Sequence, residues 1–404
     1  MVKTMNESQI PRLKSLDGLR GIAALVVLFG HIAFMSPLLS DVYEMRRLPE
    51  QGSAAWWMSA TPLHAVWAGP EAVYVFFVLS GAVLTLSALK SGYDWFSYFP
   101  KRLLRLYVPV WAAIGFAALA MALVPRTPDA STSAWLARRA SSYDAEHLRM
   151  DITLLFGGGD HSLSTLWSLR WEVWFSLLLP LFVLFAAMLP RWWFAKCALI
   201  VVLMAVGVYK LWPEAQYLAM FAAGSLIAAH WESLRRGMTR ILRVPGAGLV
   251  ILALTLIAFT SRWWTYGATG SSEHQHWWSL VVVAAAVSAV LLAAHWTPAV
   301  RFLSWRPVHW LGTISFSLYL VHETVIISVR YLLPEASLSL IALIGVAASL
   351  VIAWVFYLAI ERPATRLARV SGKAASRVLT SRETAIRESE DLGPQYRRGR
   401  AQID

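Results

Sequence analysis

Ten apolar segments dominate this chain and limit what it can fold into. They lie at about 16–36, 70–89, 106–124, 166–188, 194–209, 214–231, 246–260, 277–294, 310–331 and 337–360. A bilayer's hydrocarbon core is about 30 Å thick and takes roughly 20 apolar helical residues to cross. Inside it every backbone N–H and C=O must be satisfied within the protein, which leaves helices or a closed barrel. Runs this long and this continuously apolar are helical, not alternating. The fold class is therefore all-α: a polytopic membrane helix bundle with about ten transmembrane helices. The sixth and seventh segments are short or weak, so nine or eleven spans also fit. Of the 404 residues, 57% are hydrophobic and only 15% charged, below the usual share for a soluble domain.

The net charge of +12 raises the question of nucleic acid, but the basic residues have a plainer place. With the N-terminus inside, 25 lysines and arginines fall on cytosolic segments and nine on outer ones. Dropping the basic tail leaves the bias intact, so the positive-inside rule places both termini in the cytosol. No nucleic-acid partner is expected. The 21 tryptophans suit the two membrane interfaces. The first apolar run is followed by no small-residue cleavage site and reads as a span. Cys197, the single cysteine, makes no internal disulfide. Residues 1–365 form one membrane domain, and 366–404 form a polar, basic cytosolic tail, partly disordered. Two long outer loops, about 37–69 and 125–165, remain. The second carries mixed charge, Gly157 to Gly159, and the pair Asp160-His161. His274, His276 and Glu273 share a third outer loop, where solvated side chains are a simpler reading than a metal site.

Ionisable groups inside spans are costly and point to function. The first span, LDGLRGIAALVVLFGHI, holds Arg20 and His31. Eleven residues place them within about 20° of one face and roughly 16 Å apart along the axis. Arg20 snorkelling to headgroups and His31 meeting water would be a structural alternative. In LWSLRWEVWFSLLLP, Glu172 lies about two turns into its span and needs a partner. Arg170, two residues away, points elsewhere. His31 is the candidate by depth, and a carboxylate beside it would raise its basicity as a general base. A structural ion pair between helices is the competing explanation. Arg102 and Arg105 share a face in KRLLRLYVPVW and suit phosphate or lipid headgroups. Ser315, Tyr319 and His322 form a stripe in GTISFSLYLVH, with Glu323 one turn beyond Tyr319. Gly224 and Ala228 form a small-residue packing pair.

Together these segments, with YVFFVLSGAVL and IERPATR, resemble the acyltransferase type 3 family of integral membrane proteins. The motifs run in the family's order from residue 16 to 366. The resemblance implies an acyltransferase that moves an acyl group, most often acetyl, onto a hydroxyl of a cell-surface or secreted carbohydrate. Lipopolysaccharide O-antigen and exopolysaccharide are examples. It implies acyl-coenzyme A as donor substrate, no permanently bound cofactor, membrane lipids as surroundings, and a bacterial inner-membrane location. It carries Arg20, His31, Arg102, Arg105, Glu172, His322 and Glu361 onto matching positions. The chain departs from the family at Ser176 and Phe316, where tyrosine is frequent, and at Thr324, where proline is common.

The expected site follows. His31 and Glu172 are catalytic, with Glu172 orienting His31. Arg20, Arg102 and Arg105 hold the donor's phosphates, so that its extended arm reaches His31. Arg170, Tyr319 and His322 contact substrate. Glu361 pairs with a cytosolic arginine. Direct attack on the thioester and an acyl-histidine intermediate are both open. Two rival classes fit the composition: a transporter of a sugar, lipid or acyl group, and a structural component of a polysaccharide assembly complex. The absence of inverted repeats counts against the first.

Overall fold

A computed structural model describes residues 14–129, 132–139, 144–155, 163–273 and 275–377. The described residues are helical with no strands. Gly157 to Gly159, Asp160, His161, His274 and the tail beyond Arg377 lie outside them. Ten principal helices correspond to the ten apolar segments. They are α1 (Lys14–Ala33), α2 (Gly69–Ala88), α3 (Trp95–Leu123), α4 (Leu166–Ala187) and α5 (Trp193–Tyr209). Then come α6 (Pro213–Ala229), α7 (Ala247–Phe259), α8 (Trp278–His295), α9 (Arg306–Leu332) and α10 (Leu338–Phe356).

Eight of the described helices are long and apolar enough to cross a membrane. A ninth crossing arises if α7 and the following Ser261–Thr269 helix, bent by 58°, count as one. The bend has a local cause. Thr260 and Ser261 turn their hydroxyls back onto the carbonyls of Leu256 and Ala258, at 2.9 and 2.8 Å, which draws the chain out of its helical course. The α6 helix has 17 residues, near the lower limit for a span.

Two helix ends differ from the sequence expectation. The α3 helix starts at Trp95, about three turns earlier than its apolar run, because Asp94 caps it by accepting the Ser97 N–H at 2.9 Å. Arg102 and Arg105 therefore sit inside a helix, not at its mouth. The α10 helix passes through a widened turn, Tyr357–Glu361, and continues to Arg377. The first residues of the expected tail are thus helical, and Ser376 hydrogen-bonds Asp94.

Helix α9 is the axle of the bundle. Its most apolar window is 83% buried, against 22% for the helix that contains α10 and for the one that contains α5. Yet α9 carries Ser315, Ser317, His322, Glu323 and Thr324, all buried. Burying such groups requires partners, and these come from α1 for His322, from Ser164 and Thr165 just before α4 for Glu323, and from Glu361 after α10 for Ser317. The approach to α1 depends on glycine. A Cβ at Gly312 would stand 2.1 Å from the Asp17 carbonyl, and one at Gly21 would stand 2.5 Å from the Gly312 nitrogen. Gly224 serves α6 in the same way, with its added Cβ 2.0 Å from the Val78 carbonyl of α2.

Short helices from the two long loops cover the His31 end of the bundle. Ser40 accepts the Trp135 N–H at 3.1 Å, and Glu44 pairs with Arg138, which joins the loops. His64 stacks on Trp263 and meets the tilted ring of Trp67, with centroids 4.3 and 4.2 Å away. Burial, and then the Arg262 guanidinium, hold its pKa well below the ordinary imidazole value. The unfolded chain therefore takes up a proton below about pH 6.5 that the fold refuses, so His64's stabilising contribution is complete above that pH and drains away as the pH falls. Thermal midpoints of the purified protein are expected to fall between about pH 7 and pH 5. His64→Phe is expected to flatten that slope, and equal slopes in the two proteins would refute the assignment.

Candidate active site

Five helices, α1, α2, α3, α4 and α9, enclose a cavity of about 290 Å³, and the extension of α10 closes its side. Tyr357, Glu361, Thr365 and Arg369 line this wall at a constant spacing of four residues. The widened turn favours that spacing, because it holds more residues than an ordinary helical turn. Four arginines face the cavity: Arg20, Arg102, Arg105 and Arg369. They meet three carboxylates, Asp17, Glu172 and Glu361. Glu361 accepts the Ser317 hydroxyl at 2.6 Å, and shares the wall with Arg20 and Arg105.

The expected pairing of Glu172 with His31 is not the one formed. Glu172 is bound by Arg102 and accepts the Ser80 hydroxyl at 3.0 Å. Arg102 also donates to the Ser176 hydroxyl at 2.9 Å. The reason is depth. The residue of this segment that reaches His31 is Ser164, just before α4, and Glu172 lies eight residues further along. Eight helical residues amount to about 12 Å, which sets Glu172 level with Arg102. Ser176, where the family often has tyrosine, thus supplies a hydroxyl that fixes an arginine. Phe316, the other departure, lines the cavity. Arg170, expected to contact substrate, does not line this cavity. Its guanidinium lies over the Trp171 ring and 3.7 Å from Glu214 of α6, away from the cavity wall.

Between the cavity and His31 stand Ser168 and Tyr319, whose hydroxyls are 2.6 Å apart. Beyond them lies a second polar group. His31 Nδ1 and His322 Nε2 are 2.8 Å apart, with the rings inclined by only 12°. The protons on this pair follow from one fixed acceptor. His322 Nδ1 is 2.8 Å from the Leu318 carbonyl, which can only accept, so Nδ1 carries the hydrogen. In the neutral ring Nε2 is then the acceptor, and His31 Nδ1 donates to it. That leaves the lone pair of His31 on Nε2, facing Ser164 Oγ at 3.4 Å. A histidine neighbour thus fixes the tautomer that was expected to depend on a carboxylate.

Glu323 completes the group. It accepts the Ser164 hydroxyl at 2.8 Å and the Thr165 N–H at 3.3 Å, and lies 3.5 Å from Arg139. Trp135 stacks on His31 at 5.3 Å, and Arg139 lies over Trp135. Sequence reasoning named Glu323 without placing it in the site, and missed Ser164, Trp135 and Arg139. The last three belong to the loop 125–165, whose mixed charge was the one visible signal. The spacing of Arg20 and His31 does hold: the first lines the cavity, and the second sits past its far end on the same helix.

The chain is thus a multi-pass bundle with an arginine-lined cavity toward one end of α1 and a histidine pair toward the other. The chain belongs to the acyltransferase type 3 family: a model described as an acyltransferase domain matches residues 13–358. No curated protein and no solved structure matches it. It is an acyltransferase that transfers groups other than aminoacyl groups, and the transport reading is set aside.

Proposed function

We propose that this protein transfers an acyl group, acetyl in the first instance, from acyl-coenzyme A to a hydroxyl of a cell-surface or secreted carbohydrate. Its place would be a bacterial inner membrane, with both termini and the Arg20 end in the cytosol. The observation that carries the reading is the division of α1: Arg20 in a basic cavity, and His31 beside a second histidine about 16 Å away. A donor with phosphates at one end and a thioester at the end of a long flexible arm suits that separation.

Arg20 and Arg105 receive the phosphates. Arg102, held by Glu172, joins them, and Arg369 adds a fourth guanidinium from the extension of α10. Glu172 accordingly acts as the counter-ion of Arg102 and not as the orienter of His31. His31 Nε2 takes the proton of an attacking hydroxyl, and His322 holds the ring with that nitrogen exposed. Tyr319 and Ser168 line the passage through which the acyl end travels. The carbonyl carbon gains a bond to oxygen and loses its bond to sulfur, and the proton held by His31 goes to the departing thiolate.

Membranes that contain the protein are expected to move labelled acetyl from coenzyme A to surface glycan. Arg105→Ala is expected to raise the donor concentration for half-maximal rate by about 10- to 100-fold, the worth of a charge-assisted contact. An unchanged donor requirement would remove the phosphate site. A glycan whose mass is the same with and without the gene would remove the acceptor class.

A further inference from the structure

Ser164 stands where an activated nucleophile would stand. Its Oγ is 3.4 Å from His31 Nε2, the nitrogen that carries the lone pair. His31 is held in turn by His322 at 2.8 Å, and His322 by the Leu318 carbonyl at 2.8 Å. Nucleophile, base and orienting group are thus in series, the arrangement by which a weak hydroxyl nucleophile is activated. The hydroxyl lies between two acceptors, because Glu323 Oε2 takes its hydrogen at 2.8 Å. A small rotation about its C–O bond would turn that hydrogen from Glu323 to His31. The position is well fixed, since the next residue donates its backbone N–H to the same carboxylate oxygen.

We propose that Ser164 carries the acyl group as an ester between donor and acceptor, in a two-step reaction. The inference rests on the reading of the chain as an acyl-coenzyme A-dependent enzyme. In the first step Ser164 Oγ attacks the thioester carbonyl and gives its proton to His31 Nε2. The carbon–sulfur bond breaks, the thiolate takes the proton from His31, and free coenzyme A leaves. In the second step His31 takes the proton of the carbohydrate hydroxyl as its oxygen attacks the serine ester. The bond from the carbonyl carbon to Ser164 Oγ breaks, and His31 returns the proton to Ser164. Nothing is oxidised or reduced, and each step exchanges one acyl bond for another. The relay also eases a crowding problem. The donor enters through the arginine cavity and the acceptor reaches the opposite end, so the two need never occupy the bundle together.

The test uses the full-length protein in lipid nanodiscs with labelled acetyl-coenzyme A and no glycan. After an acid quench, digestion and mass analysis locate the label. It is expected on the peptide that contains Ser164, and added acceptor should chase it off. Ser164→Ala is expected to lose this label and to slow transfer by about 100-fold or more. Ser164→Cys, which keeps a nucleophile in place, is expected to take label that neutral hydroxylamine releases, and this separates chemistry from misfolding. Full transfer by Ser164→Ala would overturn the proposal, as would label on His31. So would steady transfer by the unaltered protein with no labelled protein at any time. In all three cases the acyltransferase reading stands. Only failure of the unaltered protein to transfer acyl from coenzyme A at all would remove both.

Discussion

His31→Ala is expected to slow acyl transfer by about 100- to 10,000-fold, the usual worth of a positioned acid–base group. The protein should still enter the membrane, because His31 lies two residues from the end of α1 and outside the close-packed glycine contacts of that helix. Removing the ring takes away the base, and it also leaves His322 Nε2 without its donor at 2.8 Å. His322→Ala is expected to do less, since His31 keeps its lone pair but loses the bond that fixes its tautomer. Rates per amount of membrane-inserted protein decide the matter. If His31→Ala transfers acyl at the unaltered rate, the histidine pair is not where chemistry happens, and the base must be sought at Glu172 or Glu361 in the cavity.

Gly312→Val should have the largest effect on the fold. The position faces the α1 backbone so closely that even a Cβ would overlap the Asp17 carbonyl. A branched side chain must push α1 and α9 apart, and overpacking costs about 1–3 kcal/mol even where neighbours can adjust. Here the neighbour is backbone, so the helices must move. Arg20 and His31 are on one of them and His322 and Glu323 on the other, so a wedge at Gly312 also opens the site. Expected results are a lower thermal midpoint in detergent, poor recovery of folded protein and transfer near background. Gly115→Val is the control: nothing lies within 4 Å of a Cβ there, and the variant should behave normally. Normal stability in Gly312→Val would show that the close contact does not hold the pair together.

The membrane class of this chain was legible from its apolar runs, because hydropathy over 20 residues depends on no partner. The face shared by Arg20 and His31 was legible for a similar reason: helical geometry alone sets it. What failed was depth across helices. Glu172 and His31 both sit near the ends of their apolar runs, but α4 is entered from a structured loop, so its reach toward His31 begins at Ser164. That offset depends on how α1 and α4 are staggered, which no single segment encodes. The roles of Trp135 and Arg139 were hidden for another reason. Trp135 belongs to a short helix, Ala134–Ala137, and Arg139 follows its end; the position of both depends on Ser40 and Glu44, almost a hundred residues earlier. Ten helical segments were readable. That one of them is bent in two was not, because the hydroxyls of Thr260 and Ser261 look like ordinary loop residues until their acceptors are known.

The contact between His31 and His322 joins positions 291 residues apart in the chain. At about 5–20 residues per second, a ribosome needs roughly 15 to 60 seconds to travel between them. For that interval α1 waits in the bilayer with its arginine and histidine, and without the helix that will receive them. The nascent protein has to shelter α1 beside α2, the neighbour made next, until α9 arrives and displaces lipid from its face. Assembly of this enzyme is therefore a question of timing in the membrane, and its last-made helices decide whether the first becomes part of a working site.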